Sequence, residues 1–257
     1  DKRKLEISLM PTDDPAFSSK IVKDYEDVTI GFPFKKSESA FKFGLLLFRN
    51  FYGKANPNDE TEVPVAEGVD QFPGTIPLGT PLVEREFNFN LKFSKNSAYR
   101  ENLPPPNWQA TGLYAPPGQT ITVNVEVPNG NQEALKNFRI FINTHSDDLT
   151  FLNPSTELLR HPLLTSYHSL KPGVNKIRNP FGGLIVLEGL IESNLDQLIE
   201  LTISDAVEAP WLKEDTTDAE LTRMKNLNVP WGIIQGPRSV AVVPIENFKQ
   251  ISSAKKI

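Results

Sequence analysis

The stretch Val83-Glu84-Arg85-Glu86-Phe87-Asn88-Phe89-Asn90-Leu91-Lys92-Phe93 decides the fold. Val83, Arg85, Phe87, Phe89, Leu91 and Phe93 share one parity, while Glu84, Glu86, Asn88, Asn90 and Lys92 take the other. Successive side chains of a strand point to opposite faces, so this is a long half-buried strand with one apolar side. Ile121, Val123, Val125 and Val127 alternate likewise with Thr120, Thr122, Asn124 and Glu126, and 138–143, 184–190, 198–203 and 239–245 also read as strands. Turn signals lie between them at Pro117-Gly118, Asn129-Gly130 and Pro172-Gly173. No helical crossovers separate these strands, so the spacing predicts a mostly β, two-layer antiparallel sandwich of the jelly-roll kind rather than βαβ units. The 22 prolines, against 15 glycines, also favour short extended elements over long helices.

Ahead of the sandwich the pattern is mixed. Leu5, Ile7 and Leu9 alternate as a strand, and Thr12-Asp13-Asp14-Pro15 is a start signal for a short helix over 17–25. The apolar run 40–52 follows Ser37 and Ser39 and is assigned to a helix; the polar stretch 53–62 reads as a linker. These features predict a small mixed α/β segment over 1–68 and a β-sandwich over 69–257, with Leu103-Pro104-Pro105-Pro106 as a second candidate hinge. The clear helix is 218–226, where Thr217 and Glu220 have capping-box spacing ahead of Leu221, Met224 and Lys225.

Composition removes whole classes of chemistry. The 257 residues hold 27 Lys and Arg against 32 Asp and Glu, a net charge of −5, with three His and no Cys. Without thiols there is no disulfide, Cys-ligated zinc or Cys nucleophile. A negative chain lacks the basic footprint that nucleic acid requires. The longest apolar run, 44–48, is far too short to span a bilayer. The opening Asp1-Lys2-Arg3-Lys4 has no apolar region behind it, as in a cytosolic or an already processed chain. His-Glu-x-x-His, Gly-x-Ser-x-Gly, the P-loop and the dinucleotide fingerprint are all missing. A glycosidase pair among the acidic residues is defined by a separation in space, which a sequence does not display.

Among candidate sites, His161 and His168 stand seven residues apart, a weak ligand spacing that needs a third donor. Thr144-His145-Ser146-Asp147-Asp148 suits a hard cation or a turn, and Asp is common in turns. The better lead is aromatic. Trp108, Tyr114, Tyr167, Trp211 and Trp231 lie at or near predicted loops and strand ends, where a sandwich can present flat rings to a glycan or peptide. The competing role is structural, each Trp plugging one end of the core.

Four patches carry a resemblance. They are Phe72-Pro73-Gly74-Thr75-Ile76-Pro77; Trp108-Gln109-Ala110-Thr111-Gly112-Leu113-Tyr114-Ala115-Pro116-Pro117-Gly118, running on into the strand at Ile121; Asn179-Pro180-Phe181-Gly182-Gly183-Leu184-Ile185-Val186-Leu187; and Glu208-Ala209-Pro210-Trp211 with Val229-Pro230-Trp231-Gly232-Ile233-Ile234. In this order they resemble the amino-terminal part of the M60-like (enhancin-like) metallopeptidase domain. The family positions Phe72, Pro73, Gly74, Thr111, Gly112, Gly118, Gly182, Gly183 and Pro210 also have plain folding roles. Gly112 permits a tight bend, Gly118 completes a turn, and Gly182-Gly183 lets two backbones approach.

The resemblance implies a secreted or cell-surface zinc metallopeptidase acting on mucin-like glycoproteins. In that family a His-Glu-x-x-His helix and a downstream acidic ligand follow the position reached here at Pro244-Ile245-Glu246-Asn247-Phe248. This chain is therefore expected to be the non-catalytic amino-terminal portion, inactive alone and without a cofactor of its own, with zinc held in the catalytic part. The implied partners are a glycoprotein or mucin-type glycan and that catalytic part. A reading from another class is a stand-alone glycan- or protein-binding adhesion module; a third is a glycosidase.

Overall fold

The computed structural model describes residues 20, 24–54, 65–92, 107–128, 132–190, 197–236 and 239–254. The expected strand at Leu5, Ile7 and Leu9, most of the 17–25 helix and the 53–62 linker, the proline hinge and the Asn129-Gly130 turn lie outside them. In chain order the elements are β1 (Phe34–Lys35), α1 (Ala40–Lys54), β2 (Leu82–Asn90), β3 (Asn107–Ala115), β4 (Ile121–Glu126), a 3-10 turn (Gln132–Asn137), β5 (Phe138–Ile142), β6 (Glu157–Leu158), β7 (Ser166–Ser169), β8 (Gly173–Ile177), β9 (Gly183–Gly189), β10 (Leu198–Glu208), β11 (Trp211–Leu212), α2 (Asp218–Met224), β12 (Trp231–Gln235), β13 (Val240–Pro244) and the single turn α3 (Ile245–Phe248).

The sandwich is built around β10. One edge of this strand pairs antiparallel with β2 from Leu198↔Asn90 to Val207↔Leu82. Its other edge pairs with β4 from Glu200↔Glu126 to Ser204↔Thr122, then leaves β4 and meets β3 at Val207↔Tyr114. From that corner β8 extends one half of the sheet beside β4, and β9, β5 and β7 extend the other beside β3. Both corner strands shift register there, β10 between Ile203 and Ala206 and β3 between Ala110 and Tyr114. Asp205 (φ 65) and Gly112 (φ 64) take the left-handed conformation at these bulges, which bend and twist a strand enough to fold one sheet over on itself.

The two halves face each other across one core. Phe89, Val123, Val125, Leu201 and Ile203 come from the β2-β10-β4 half, and Leu113, Phe138, Ile140, Ile142, Ile185 and Leu187 from the other. Each such fully buried side chain contributes about 1.5–3 kcal/mol relative to exposure. The alternation predicted over 83–93 is present in β2, though Val83, Arg85 and Phe87 are only half-buried because β2 is an outermost strand with β10 as its partner.

Two smaller layers flank this core. β11 pairs parallel with β12, and β12 antiparallel with β13. Ala209, Val229 and Ile233 of this region pack on Ala110, Tyr114, Leu184 and Val207 from the outer side of the sandwich. On the other flank, α1 places Leu45 and Leu46 against Ile30, Phe34 and Leu158, and Asn50 donates its amide to the Leu163 carbonyl at 2.9 Å. Ser39 caps α1, its hydroxyl accepting from Lys42 N–H at 3.2 Å. The capping box predicted for α2 is present, Thr217 and Glu220 each accepting the other's backbone N–H. Among the described residues no helix is long and apolar enough to cross a membrane.

Candidate functional site

The ladder from β3 to β7 brings distant aromatic residues onto one outer face. Trp108 stands opposite Glu188, Glu188 opposite Arg139, and in the next row Ala110, Val186, Phe141 and Tyr167 are successive partners. Their neighbours in sequence, Leu187, Ile140 and Ile142, point the other way into the core. Trp108 and Phe141 have ring centroids 4.9 Å apart, and Phe141 and Tyr167 5.8 Å. Phe141 is buried beneath this row, whereas Tyr167 is 47% exposed.

Polar groups are fixed among these rings. Trp108 donates its indole N–H to Glu188 Oε1 at 2.8 Å, and Arg139 Nε pairs with Glu188 Oε2. The Arg139 guanidinium carbon lies 3.9 Å from the centre of the Tyr167 ring. Burial raises the Tyr167 hydroxyl pKa, with Arg139 opposing and the Glu188 charge adding to the rise. The result is a strip of rings held in place by the buried Glu188, with the exposed Tyr167 ring and the partly exposed Arg139 guanidinium able to stack against an apolar face.

Trp231 sits in a second group with Phe72 and His145. The three rings meet edge to face, with centroids at 4.5 Å (His145–Trp231), 4.7 Å (Phe72–His145) and 5.7 Å (Phe72–Trp231). Trp231 Nε1 donates to the Pro73 carbonyl at 2.7 Å, and Arg160, ion-paired with Asp147, lies over the Phe72 ring. Burial, helped by the Arg160 charge and opposed by Asp147, lowers the His145 pKa to about 4. Asp148 accepts from the Thr150 backbone N–H at 2.7 Å, leading into the turn closed by Leu152 N–H on Leu149 O, while 145–148 itself is irregular rather than the turn its aspartates suggested.

The remaining candidates go elsewhere. Trp211 packs on the β3 bulge and donates its indole N–H to Gln235 at 2.9 Å, with Lys213 Nζ 4.7 Å from its ring. Tyr114, expected near a strand end with an available ring, is fully buried because the β11–β13 layer covers it, so it presents no face to solvent. His161 accepts the Leu163 N–H at 3.0 Å and His168 bonds the Ser166 hydroxyl at 2.8 Å, so each has its own partner and they share no centre. Among the described residues no group of three or more His, Asp or Glu is placed to hold a metal ion. Glu188, Arg139 and Phe141 are the site residues that reading the sequence missed. The available signal was a lone carboxylate inside the apolar run Leu184-Ile185-Val186-Leu187-Glu188, since a buried charge needs a partner.

The family model described as the N-terminal domain of M60-like peptidases matches residues 90–204, from the end of β2 into β10, and so takes in most of the folded sheet. Over those residues the chain is similar to an M60-like N-terminal domain. TRPM8 channel-associated factor 2 of Mus musculus is 29% identical over 155 residues, covering 58% of this chain and 16% of that protein. A putative lipoprotein AcfD homolog of Escherichia coli K12 is 30% identical over 146 residues, covering 55% and 9%. The chain thus spans about a sixth or less of the length of these curated relatives. In fold it is similar to the IMPa metallopeptidase from Pseudomonas aeruginosa, with a TM-score of 0.54 at 14% identity over 84% of this chain and 23% of that one. IMPa in complex with an O-glycopeptide gives 0.52 at 13% identity, over 84% of this chain and 24% of that one.

Within residues 90–204 the positions that carry the resemblance shape the backbone. The Thr111 hydroxyl donates to the Ile185 carbonyl at 2.7 Å and accepts the Leu113 N–H at 3.2 Å, bridging the β3 bulge to β9. Gly118 donates its N–H to Asn179 O at 2.9 Å. A Cβ on Gly182 would meet the Ala115 carbonyl at 2.3 Å, and one on Gly183 would meet Asn143 Cα at 2.6 Å. Outside the matched interval, Gly74 abuts Pro230, and the Pro210 carbonyl accepts the Ile233 N–H at 2.8 Å, joining β12 to the corner.

Proposed function

We propose that this chain is the non-catalytic amino-terminal portion of a secreted or surface M60-like zinc metallopeptidase acting on mucin-like glycoproteins. The match of residues 90–204 to the N-terminal domain of M60-like peptidases carries this reading. The likeness in fold to IMPa, which is known in complex with an O-glycopeptide, supports the substrate class. In this role the sandwich packs against the catalytic part of the same protein, which holds the zinc. The test compares the purified 257-residue chain with a product that joins it to a part bearing His-Glu-x-x-His. Chelator-sensitive cleavage of an O-glycosylated mucin is expected of the joined product and not of the chain alone. One equivalent of zinc retained by the 257 residues after dialysis would overturn the non-catalytic role.

The strip of Trp108, Phe141 and Tyr167 with Arg139 and Glu188 favours a second reading, a stand-alone module that binds mucin-type glycans. Under it, Tyr167→Ala weakens retention on an immobilised mucin while leaving the thermal midpoint unchanged. Equal retention of the variant and the parent chain sinks that reading.

A further inference from the structure

β2 is the long open edge of the large sheet. Among the described residues its backbone bonds β10 on one side and nothing on the other. Other outer strands are short or interrupted: β7 has four residues, β8 has five and begins at Gly173, and β13 has five and ends at Pro244. β2 runs for nine, Leu82 to Asn90, with neither Pro nor Lys among them. Short length, Pro and Lys are usual means of blunting a sheet edge. Where they are missing, the row of free N–H and C=O groups is a template for one more strand.

The two faces of β2 specify which strand fits. On the inner face Val83 and Phe87 pack on the rim of the core but are only partly buried, since no strand lies beyond to cover them. Leu82, at the start of the strand, is 48% exposed. Arg85, between Val83 and Phe87, is already held by Glu208 and by the Gly112 carbonyl at 3.3 Å, so it places no unanswered charge under the edge. The outer face is acidic. Glu84 and Glu86 are exposed there, and the same face continues through Glu200 of β10, opposite Asn88, to Glu126 of β4, opposite Glu200. Against these four stand Lys92, beyond the end of β2, and Lys176 on the far strand β8. Among the described residues neither Glu84 nor Glu86 has an ion pair. A second copy of the chain is a poor fit to this edge, because full antiparallel register sets Glu86 against Glu86.

We propose that the free edge of β2 receives an extended segment of another polypeptide, in which basic residues alternate with apolar ones, as a further strand of the sheet. The backbone ladder supplies affinity. The apolar side chains cover Val83 and Phe87, and the basic ones stand opposite Glu84 and Glu86. This edge is separate from the ring strip, and the proposal does not rest on the peptidase or the glycan reading.

Fluorescence anisotropy with the whole 257-residue chain at low ionic strength tests this with three labelled peptides. They are an alternating Lys-Val-Lys-Val-Lys-Val-Lys, its acidic counterpart Glu-Val-Glu-Val-Glu-Val-Glu, and Lys-Lys-Lys-Lys-Val-Val-Val, which keeps the composition of the first without its alternation. The alternating basic peptide is expected to bind at one site and to slow hydrogen exchange at alternate amides of 82–89. The block peptide is expected to bind about tenfold more weakly, and the acidic peptide not measurably. The double variant Glu84→Lys with Glu86→Lys alters two exposed side chains, so it is expected to keep its thermal midpoint and to take the acidic peptide in place of the basic one. No saturable binding, no slowing of exchange in β2, equal affinity for the block peptide, or an unaltered preference in the folded double variant would each overturn the proposal. So would a chain that is dimeric through these same amides without peptide, which would assign the edge to a second copy.

Discussion

Glu188 accepts the indole N–H of Trp108 at 2.8 Å across the rung that sets the two residues opposite each other in β9 and β3. The same carboxylate is only 4% exposed and pairs through its other oxygen with Arg139, so one buried charge ties three strands of the outer face together. Removing one partner of such a pair leaves the other charge uncompensated, which costs far more than the pair contributes net. Arg139 is partly exposed and recovers some solvation, which places the loss at the low end. Glu188→Ala is therefore expected to destabilise the fold by about 3 kcal/mol. Trp108→Phe, which keeps the ring contact and the Arg139 pair, should cost about 1 kcal/mol. Urea unfolding at pH 7 measures both. Equal losses would mean that the indole packing, and not the carboxylate, holds the rung.

The Gly182-Gly183 pair makes a sharper demand on the backbone. Gly182 (φ +62) and Gly183 (φ +137) both occupy conformations that L residues rarely adopt, and a Cβ at either would run into backbone atoms of the 115–117 turn or of Asn143. Strain and overlap act together, so Gly183→Ala is expected to lose about 3 kcal/mol or more. Gly79 (φ +79) has open space around it and pays only the conformational term, about 1 kcal/mol on replacement by Ala. Comparable unfolding midpoints for the two variants would refute the close-approach role.

How much of this was legible depends on where each strand sits. β4, β5, β9 and β10 line the core, so burial imposes alternation or a continuous apolar run, and both can be read directly. β7 (Ser-Tyr-His-Ser) and β8 (Gly-Val-Asn-Lys-Ile) are edge strands with one or two inward side chains each, too few to register as a period. β10 reads as ending at Ile203 because the Asp205 bulge breaks its alternation, yet that bulge is the corner of the fold. The site was legible only in kind. Trp108 and Tyr167 are flagged by residue type, but their neighbourhood is produced by pairing across four strands, and strand order is not a property of any local window.

Thr111 bridges the bulge in β3. It is fully buried and satisfies both the Ile185 carbonyl and the Leu113 N–H through one hydroxyl. Thr111→Val keeps the shape and leaves both backbone groups without that partner, so the expected loss is about 1–3 kcal/mol. Hydrogen exchange discriminates further: the Leu113 amide should lose protection in the variant. Unchanged protection there, with unchanged stability, would remove the bridge from the account.

The three histidines predict how stability follows pH. Burial is the largest cause of lowered pKa at each. It holds His161 to about 3, helped by the Lys54 charge and opposed by the Leu46 and Leu163 backbone contacts, and His168 to about 4, again with Lys54 acting in the same direction. In the unfolded chain these imidazoles titrate near the ordinary 6.5. Between that value and the native one the unfolded state binds protons that the native state refuses, so the stability present above pH 6.5 is lost as pH falls towards 4. The buried His161 adds a slope of about 1.4 kcal/mol per pH unit inside this window. His145 and His168 add less, because each is only half-buried and its charge is partly screened. Urea midpoints taken from pH 7 down to pH 4 should fall steadily, and His168→Gln should flatten the curve by that histidine's smaller share. A curve flat over that range, or one that the substitution leaves unaltered, would mean that these side chains are as accessible to protons in the folded chain as in the unfolded one.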